Sequence, residues 1–359
     1  MLYEYWLAKV KHLSARKKRR LRERFENARK IYNIEETQLK NVEFLTEKDV
    51  NAIILSKTAN NIEKDFYSML EKQIHFVPYF SEEYPKRLQE IPSPPYALYY
   101  KGRMPDDTKK TVAIVGSRHC TTYGEQLALE YGEVLADAGV QIISGMAKGI
   151  DGAGQRGALN GQGQTYGVLG CGVDVCYPRE NIGLYADIQK SGGILSEQPP
   201  GEPPFASYFP ARNRIISGLS DVVLVMEAKE KSGSLITADM ALEQGKDVYA
   251  LPGPVTNPMS QGCHRLISQG AGILLSPQEL LNDLQISREI VRQRTDENKK
   301  VLERTENMVY SCLDLFPKNI HSLVEMTGLE PVDVKRELVS LQLEGKIKEI
   351  SKNFYIRMR

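Results

Sequence analysis

Five cysteines in 359 residues, with no C-x-x-C pair among them, leave no material for a disulfide framework. Free or buried thiols in a reducing cytoplasm are the reading that fits. The five histidines lack metal-ligand spacing, and Cys263 and His264, adjacent in sequence, make a poor chelate, so no metal site is expected. Charge of one sign is nearly absent in excess: the net is +1, so the chain is no polybasic binder and any anion site must come from local clustering. No apolar run approaches membrane length, and the opening MLYEYWLAKVKHL has neither an apolar core nor a cleavage pattern. The expectation is a soluble cytoplasmic protein with no membrane partner. Two nucleotide fingerprints are missing as well. VGSRHCTTYG stands where G-x-G-x-x-G would follow the first strand, no G-x-x-x-x-G-K-[ST] occurs, and GQGQTYG has the wrong spacing and precedes a strand. The standard NAD and ATP fingerprints are thus absent, and no cofactor is expected.

What is present divides into parts. Residues 1–75 read as short helices. Within them ARKKRRLRERFENARKIY puts Leu21, Phe25, Ala28 and Tyr32 at helical spacing, and residues 1–30 carry eleven Lys/Arg against three Glu. A solvated face and a contact to backbone phosphates both account for that charge. A proline-rich stretch with prolines at 78, 85, 92, 94 and 95 reads as an extended lead-in that packs on the next domain. Over 76–287 strand runs alternate with amphipathic helices: TVAIVGS, VQIISGM, TYGVLGC, GGILSE, DVVLVMEA, DVYALPG and GILLS. That alternation predicts an α/β domain with a doubly wound, Rossmann-like, mostly parallel sheet covered on both faces. Residues 288–304 lack an apolar stripe and read as a linker or an exposed helix. Residues 305–359 read as a helix-turn-helix with Gly328 at the turn, followed by two short strands, the pattern of a winged helix. Eight Lys/Arg balance eight Asp/Glu there, which favours a protein contact or regulatory role over duplex reading.

The chemistry gathers at the strand ends, where ligands of such sheets bind. Gly116, Ser117 and Arg118 follow the first run; Ser144, Gly145, Lys148, Gly149 and Asp151 follow the second; Gly170 and Gly172 follow the third. Arg212, Asn213 and Arg214 lie in FPARNRIISGLS, and Ser232, Gly233 and Ser234 open a helix after the fifth run. Any one glycine loop is explained by a tight turn. Several in succession, interleaved with arginine and lysine, point to a basic crevice for phosphate. Asp151 and Glu227 are the carboxylates placed for acid–base work, although Asp151 also suits a helix cap. Two rivals to nucleic-acid binding remain: a Rossmann-like nucleotide-binding or nucleoside-phosphate-hydrolysing enzyme, and an interaction scaffold whose glycines are only turns.

The ordered motifs VGSR…TxYG, ISGMAKGID, GVLGCGVDVCYP, LSEQPPG, FPARNRIISGLS, EAKEKSGSLITA and ALPG resemble the DNA-processing protein A (DprA, Smf) family over about residues 77–285. The resemblance implies an extended Rossmann domain that binds single-stranded DNA. It also implies a homodimer, loading of the RecA recombinase in natural transformation, and a binder in place of a catalyst. It gives the N-terminal part a SAM or helix-hairpin-helix-like character, though KHLSARKK stands where the phosphate-reaching glycine hairpin would be. Carried over by position, Gly116, Ser117, Arg118, Lys148, Gly149, Arg212, Asn213, Arg214 and Ser232 to Ser234 would contact DNA. Arg214 could instead turn inward to a carboxylate, and Asn213 would order its loop by bonding backbone. Phe209, Tyr208 and Tyr123 are candidates for base stacking, with core packing the other reading of Phe209.

Overall fold

The computed structural model describes residues 1–58, 61–286 and 304–358. The chain divides into two compact units, Met1–Cys120 with Ala128–Ser287, and Thr121–Leu127 with Arg288–Arg359. Six helices open the first: α1 (Leu2–Lys9), α2 (Ala15–Arg24), α3 (Ala28–Asn33), α4 (Glu36–Lys40), α5 (Glu47–Thr58) and α6 (Ile62–Glu71). The single helix that the spacing predicts across 15–32 is two. Glu26 takes a positive φ of 63°, and the Asn27 side chain accepts the Lys30 N–H at 2.8 Å, so a fresh N-cap starts there.

The basic residues of α2 divide: Arg16, Arg20 and Arg24, at i, i+4 spacing, stay exposed without an ion pair among the described residues, and the other four are engaged. Lys17 pairs with Asp49 and Arg22 with Glu4, while Arg19 donates to the Pro94 carbonyl and lies 5.1 Å from the Tyr79 ring centroid. Lys18 is buried and donates to the Ala8 carbonyl; burial pushes its pKa down to about 8, against a smaller opposing pull from Glu197. Four of the seven basic side chains thus fasten α2 to its neighbours, and the other three form its solvent-facing stripe. Tyr5, Trp6, Leu7, Leu21 and Ile31 of these helices share one core with Phe76, Tyr99, Leu169 and Ile194, so the helices pack directly on a face of the sheet.

The proline-rich stretch is more than a lead-in. It forms β1 (His75–Pro78), the short α7 (Lys86–Gln89) and β2 (Ala97–Gly102), with β1 and β2 an antiparallel pair in which Val77 faces Leu98. The seven apolar runs become β3 (Thr111–Val115), β4 (Gln141–Ser144), β5 (Thr165–Leu169), β6 (Gly193–Ser196), β7 (Val222–Val225), β8 (Asp247–Ala250) and β9 (Gly272–Ile273). Together they make a nine-stranded sheet of order β1-β2-β6-β5-β4-β3-β7-β8-β9. β3 to β9 pair in parallel, and β2 joins β6 antiparallel. Every residue of β3 to β7 is buried, which is why these strands read as unbroken apolar runs. The crossovers are α8 (Thr122–Asp137), α9 (Ile150–Asn160), α10 (Ile182–Ser191), α11 (Tyr208–Gly218), α12 (Gly233–Glu243) and α13 (Gln261–Ser268), and α14 (Pro277–Asp283) follows β9. From β3 the chain winds one way through β4, β5 and β6, then the other through β7, β8 and β9. The direction changes between β3 and β7, where the carboxyl ends leave a crevice.

The predicted linker lies outside the described residues save Arg304, which begins α15 (Arg304–Cys312). Beyond it come β10 (Lys318–Asn319), α16 (Ile320–Thr327), α17 (Pro331–Leu343), β11 (Ile347–Ser351) and β12 (Phe354–Arg357). Gly328 ends α16 in the left-handed region at φ 68°, as the turn requires. The two expected strands gain a third, because β10 adds to β12 in the order β10-β12-β11. Val309, Leu323, Val334, Leu338 and Ile347 form a core of their own.

Candidate nucleic-acid interface

A crevice of about 640 Å³ lies over the carboxyl ends of β3 and β7. Gly116, Ser117, Arg118 and His119 enter from the β3–α8 loop, and Ala147 and Asp151 from the β4–α9 turn. α11 supplies Phe209, Arg212 and Asn213; the β7–α12 loop supplies Lys229, Lys231, Ser232, Gly233 and Ser234. Tyr177 closes one side. Four of these side chains are cationic, Arg118, Arg212, Lys229 and Lys231, against one carboxylate, Asp151.

The first two loops are locked together by backbone. Gly149 has φ +73°, and a Cβ there would sit 2.4 Å from the Ser117 carbonyl oxygen, so only glycine allows the approach. The Ile150 N–H donates to that same carbonyl at 3.2 Å, and the Ser117 N–H donates to the Glu227 carbonyl at 2.8 Å. Glu227 itself is buried and does not line the crevice.

FPARNRIISGLS is where the sequence reading and the structure differ most. The segment reads as a loop at a strand end, but it is the helix α11, with Pro210 in the first turn where its missing N–H costs nothing. At 100° per residue, positions 212 and 214 point to nearly opposite sides. Arg212 turns into the crevice floor, 8% exposed, and donates through Nη1 to the Gly145 carbonyl at 2.9 Å and to the Val168 carbonyl. Its Nε is buried without a hydrogen-bond partner. Gly145 makes the room: a Cβ there would lie 2.6 Å from Arg212 Nη1 and 2.7 Å from Asp151 Oδ2. Arg214 faces away and braces the chain, with Nε to the Ser93 carbonyl, Nη1 to the Ala211 carbonyl and Nη2 to Glu197 Oε2 at 2.7 Å. Asn213 lies between, and its Nδ2 donates to the Gly233 carbonyl at 3.4 Å, tying α11 to the start of α12.

Asp151 does not cap α9. Gly149 holds the N-cap position, and the Asp151 carboxylate reaches back to accept the Gly145 N–H at 3.1 Å. Burial raises its pKa, while the Arg212 charge and backbone amides oppose the rise. Burial likewise lowers the Arg212 pKa to about 10; Asp151 works against that shift and Arg118 adds to it. The guanidinium therefore stays charged at neutral pH.

Arg118 is exposed, lies 5.6 Å from the Phe209 ring centroid, and has no ion-pair partner among the described residues. Tyr177 and Phe209 sit 5.4 Å apart, centroid to centroid, beneath it. Ser232 caps α12 by accepting the Ser234 N–H at 3.4 Å, and the two hydroxyls hydrogen-bond at 2.8 Å. Gly116, Ser117, Arg118, Arg212, Asn213, Ser232, Gly233 and Ser234 are thus brought together. Lys148 stands off the crevice wall in an exposed ion pair with Glu180, and Gly149 and Arg214 act behind the wall. Neither Tyr123 nor Tyr208 lines the crevice; the Tyr208 hydroxyl donates to Glu202 at 3.0 Å. Three lining residues escape the sequence reading. Lys229 and Lys231 alternate just ahead of the Ser-Gly-Ser turn, which is a readable signal; Tyr177 arrives on an irregular segment and gives none.

The sequence profile of the DNA recombination-mediator protein A family matches residues 75–285. Protein Smf of Escherichia coli is 38% identical over 313 residues, covering 85% of this chain and 83% of that protein. DNA processing protein DprA of Streptococcus pneumoniae is 43% identical over 219 residues, 60% of this chain and 77% of that one. An X-ray structure of DNA processing protein A from Streptococcus pneumoniae superposes with a TM-score of 0.69 at 33% identity, covering 79% of this chain and 98% of that one. DNA processing protein A from Helicobacter pylori, whose structure is described for its single-stranded DNA binding mode, gives 0.54 at 32% identity, over 59% of this chain and 96% of that one. With the ordered motifs, the sheet topology and these relatives in agreement, the chain belongs to the DNA recombination-mediator protein A family, the DprA/Smf proteins.

Proposed function

We propose that the protein binds single-stranded DNA in the crevice at the carboxyl ends of β3 and β7. The observation that carries this reading is the charge of the crevice wall: four cations against one carboxylate, and that carboxylate already turned to Arg212 and backbone amides. Arg118 and Arg212 hold phosphates, with Lys229 and Lys231 adding charge. The amides and hydroxyls around Ser117 and from Ser232 to Ser234 donate alongside. Tyr177 and Phe209 offer ring faces to bases, which favours an unpaired strand and little sequence preference. Gly116 and Asn213 shape the wall; Lys148, Gly149 and Arg214 support it from outside.

The finer role follows the family. The strand is handed to the RecA recombinase during natural transformation, in the cytoplasm, by a homodimer that joins two crevices and gains avidity. The crevice works as a binder and not as a catalyst, because Asp151 is buried with its acceptors occupied and Glu227 does not reach the wall. Among the described residues no helix is long and apolar enough to cross a membrane.

Competition tests the reading. A labelled oligo-dT strand bound to the protein is challenged with unlabelled strand, its duplex and mononucleotides. Displacement by strand well ahead of duplex and mononucleotide is the expected order. Equal displacement by a mononucleotide, or its turnover, moves the site to nucleotide chemistry.

A further inference from the structure

The C-terminal unit has a concavity of about 490 Å³ between the start of α17, the start of α16 and the turn joining β11 to β12. Its charge is one-sided. Lys335 of α17 and Lys352 of the β-turn line it, both are exposed, and no carboxylate is among the lining residues. Neither lysine has an ion-pair partner among the described residues. Glu330, the exposed N-cap residue ahead of Pro331, lies outside the lining, and most other carboxylates of this unit are engaged. Asp333 and Glu337 hold Arg336 at 3.0 and 3.2 Å, Glu306 accepts from Ser340, Glu344 pairs with Lys346, and Glu349 accepts the Asn353 N–H at 2.7 Å. Glu325 stands 3.4 Å from His321, which lines the cleft. The balance of eight against eight over 305–359 therefore describes the sum and not this face.

The cleft also has an apolar edge. Phe354, 38% exposed, lies beside the two lysines. Two unpaired ammonium groups flanking an accessible ring match a nucleic-acid backbone, with phosphates on the lysines and a sugar or base on the ring. Arg336, the residue of α17 best suited to a base edge, is held by its two carboxylates. We propose that this cleft is a second, sequence-tolerant DNA-backbone contact, taking phosphates on Lys335 and Lys352. The inference shares its ligand class with the reading of the crevice but uses none of the same residues.

The test uses the full chain and the exposed charge-reversal pair Lys335→Glu/Lys352→Glu, beside Arg118→Ala in the crevice, with unchanged thermal unfolding as the folding control. Affinity for a labelled oligo-dT strand and for a duplex is followed across a salt series. The pair is expected to lower the slope of log affinity against log salt by roughly 1.4 on the strand, about 0.7 for each phosphate no longer held. A weakening seen on the duplex supports the same backbone contact and names the duplex as its source. Unchanged affinity and slope on both probes overturns the inference. The reading of the crevice fails separately, when Arg118→Ala leaves strand binding untouched.

Discussion

Arg212→Ala and Arg118→Ala remove the same chemical group from the same crevice, yet their consequences should differ. Arg212 is 8% exposed, satisfies two buried carbonyls and faces the buried Asp151. Each charged hydrogen bond is worth about 1.5–3 kcal/mol, and stripping a buried charge of its partner costs about 3–5 kcal/mol. Arg212→Ala should therefore destabilise the first unit by about 3–5 kcal/mol, a large part of a typical net stability of about 5–15 kcal/mol. Asp151→Asn in that background should recover some of the loss, because it removes the stranded charge. Arg118 is exposed and makes no ion pair among the described residues, so Arg118→Ala should leave stability within about 0.5 kcal/mol. Its strand affinity should still fall by about 1–3 kcal/mol, roughly 5- to 150-fold. Urea denaturation followed by circular dichroism measures the first quantity and fluorescence anisotropy the second. A loss of less than about 1 kcal/mol in Arg212→Ala, with no recovery from Asp151→Asn, would falsify the account of the crevice floor.

Three further outcomes separate wall from support. Arg214→Ala breaks the link to Glu197 and Ser93 and should cost roughly 1–3 kcal/mol in urea while leaving the salt slope of strand binding unchanged; a flattened slope would put Arg214 on the DNA. Gly145→Ala pushes a methyl against Arg212 and Asp151, so it should weaken strand binding at a stability cost of about 1–3 kcal/mol; wild-type affinity would show that the guanidinium has room to move. Lys18 has its pKa depressed from 10.5 to about 8. The unfolded chain therefore binds more protons between those values, and stability should rise with pH across that window by up to about 3 kcal/mol. Subtracting the pH profile of Lys18→Met isolates this rise, and parallel profiles would remove Lys18 as its source.

The sheet was legible because β3 to β7 are buried runs bounded by glycine and polar residues, and burial on both faces leaves a continuous apolar signal, while β8 and β9 toward the edge are only partly buried. β1 and β2 were hidden by the prolines around them: Pro78 closes β1, and the others stand between β1 and β2 without entering the ladder of β2. At the site, the glycine and serine turns were readable because backbone approach and helix starts need those residues. The pair Arg212 and Arg214 was half readable: once α11 is a helix, only one of them can face the ligand, but Phe-Pro at its start suggests a loop. Lys148 was not readable, since its partner Glu180 comes from a segment 32 residues on. The partners of Lys17 and Arg19 in α2 were hidden for the same reason, as Asp49 and the Pro94 carbonyl lie far along the chain.

The central claim is that the crevice holds DNA phosphates. Its most direct test is the slope of log affinity against log salt for an oligo-dT strand, measured on the wild type, Arg118→Ala and Arg214→Ala. The account predicts that Arg118→Ala flattens the slope by about 0.7 and that Arg214→Ala does not change it. A slope identical in all three, or strand binding independent of salt, would contradict it.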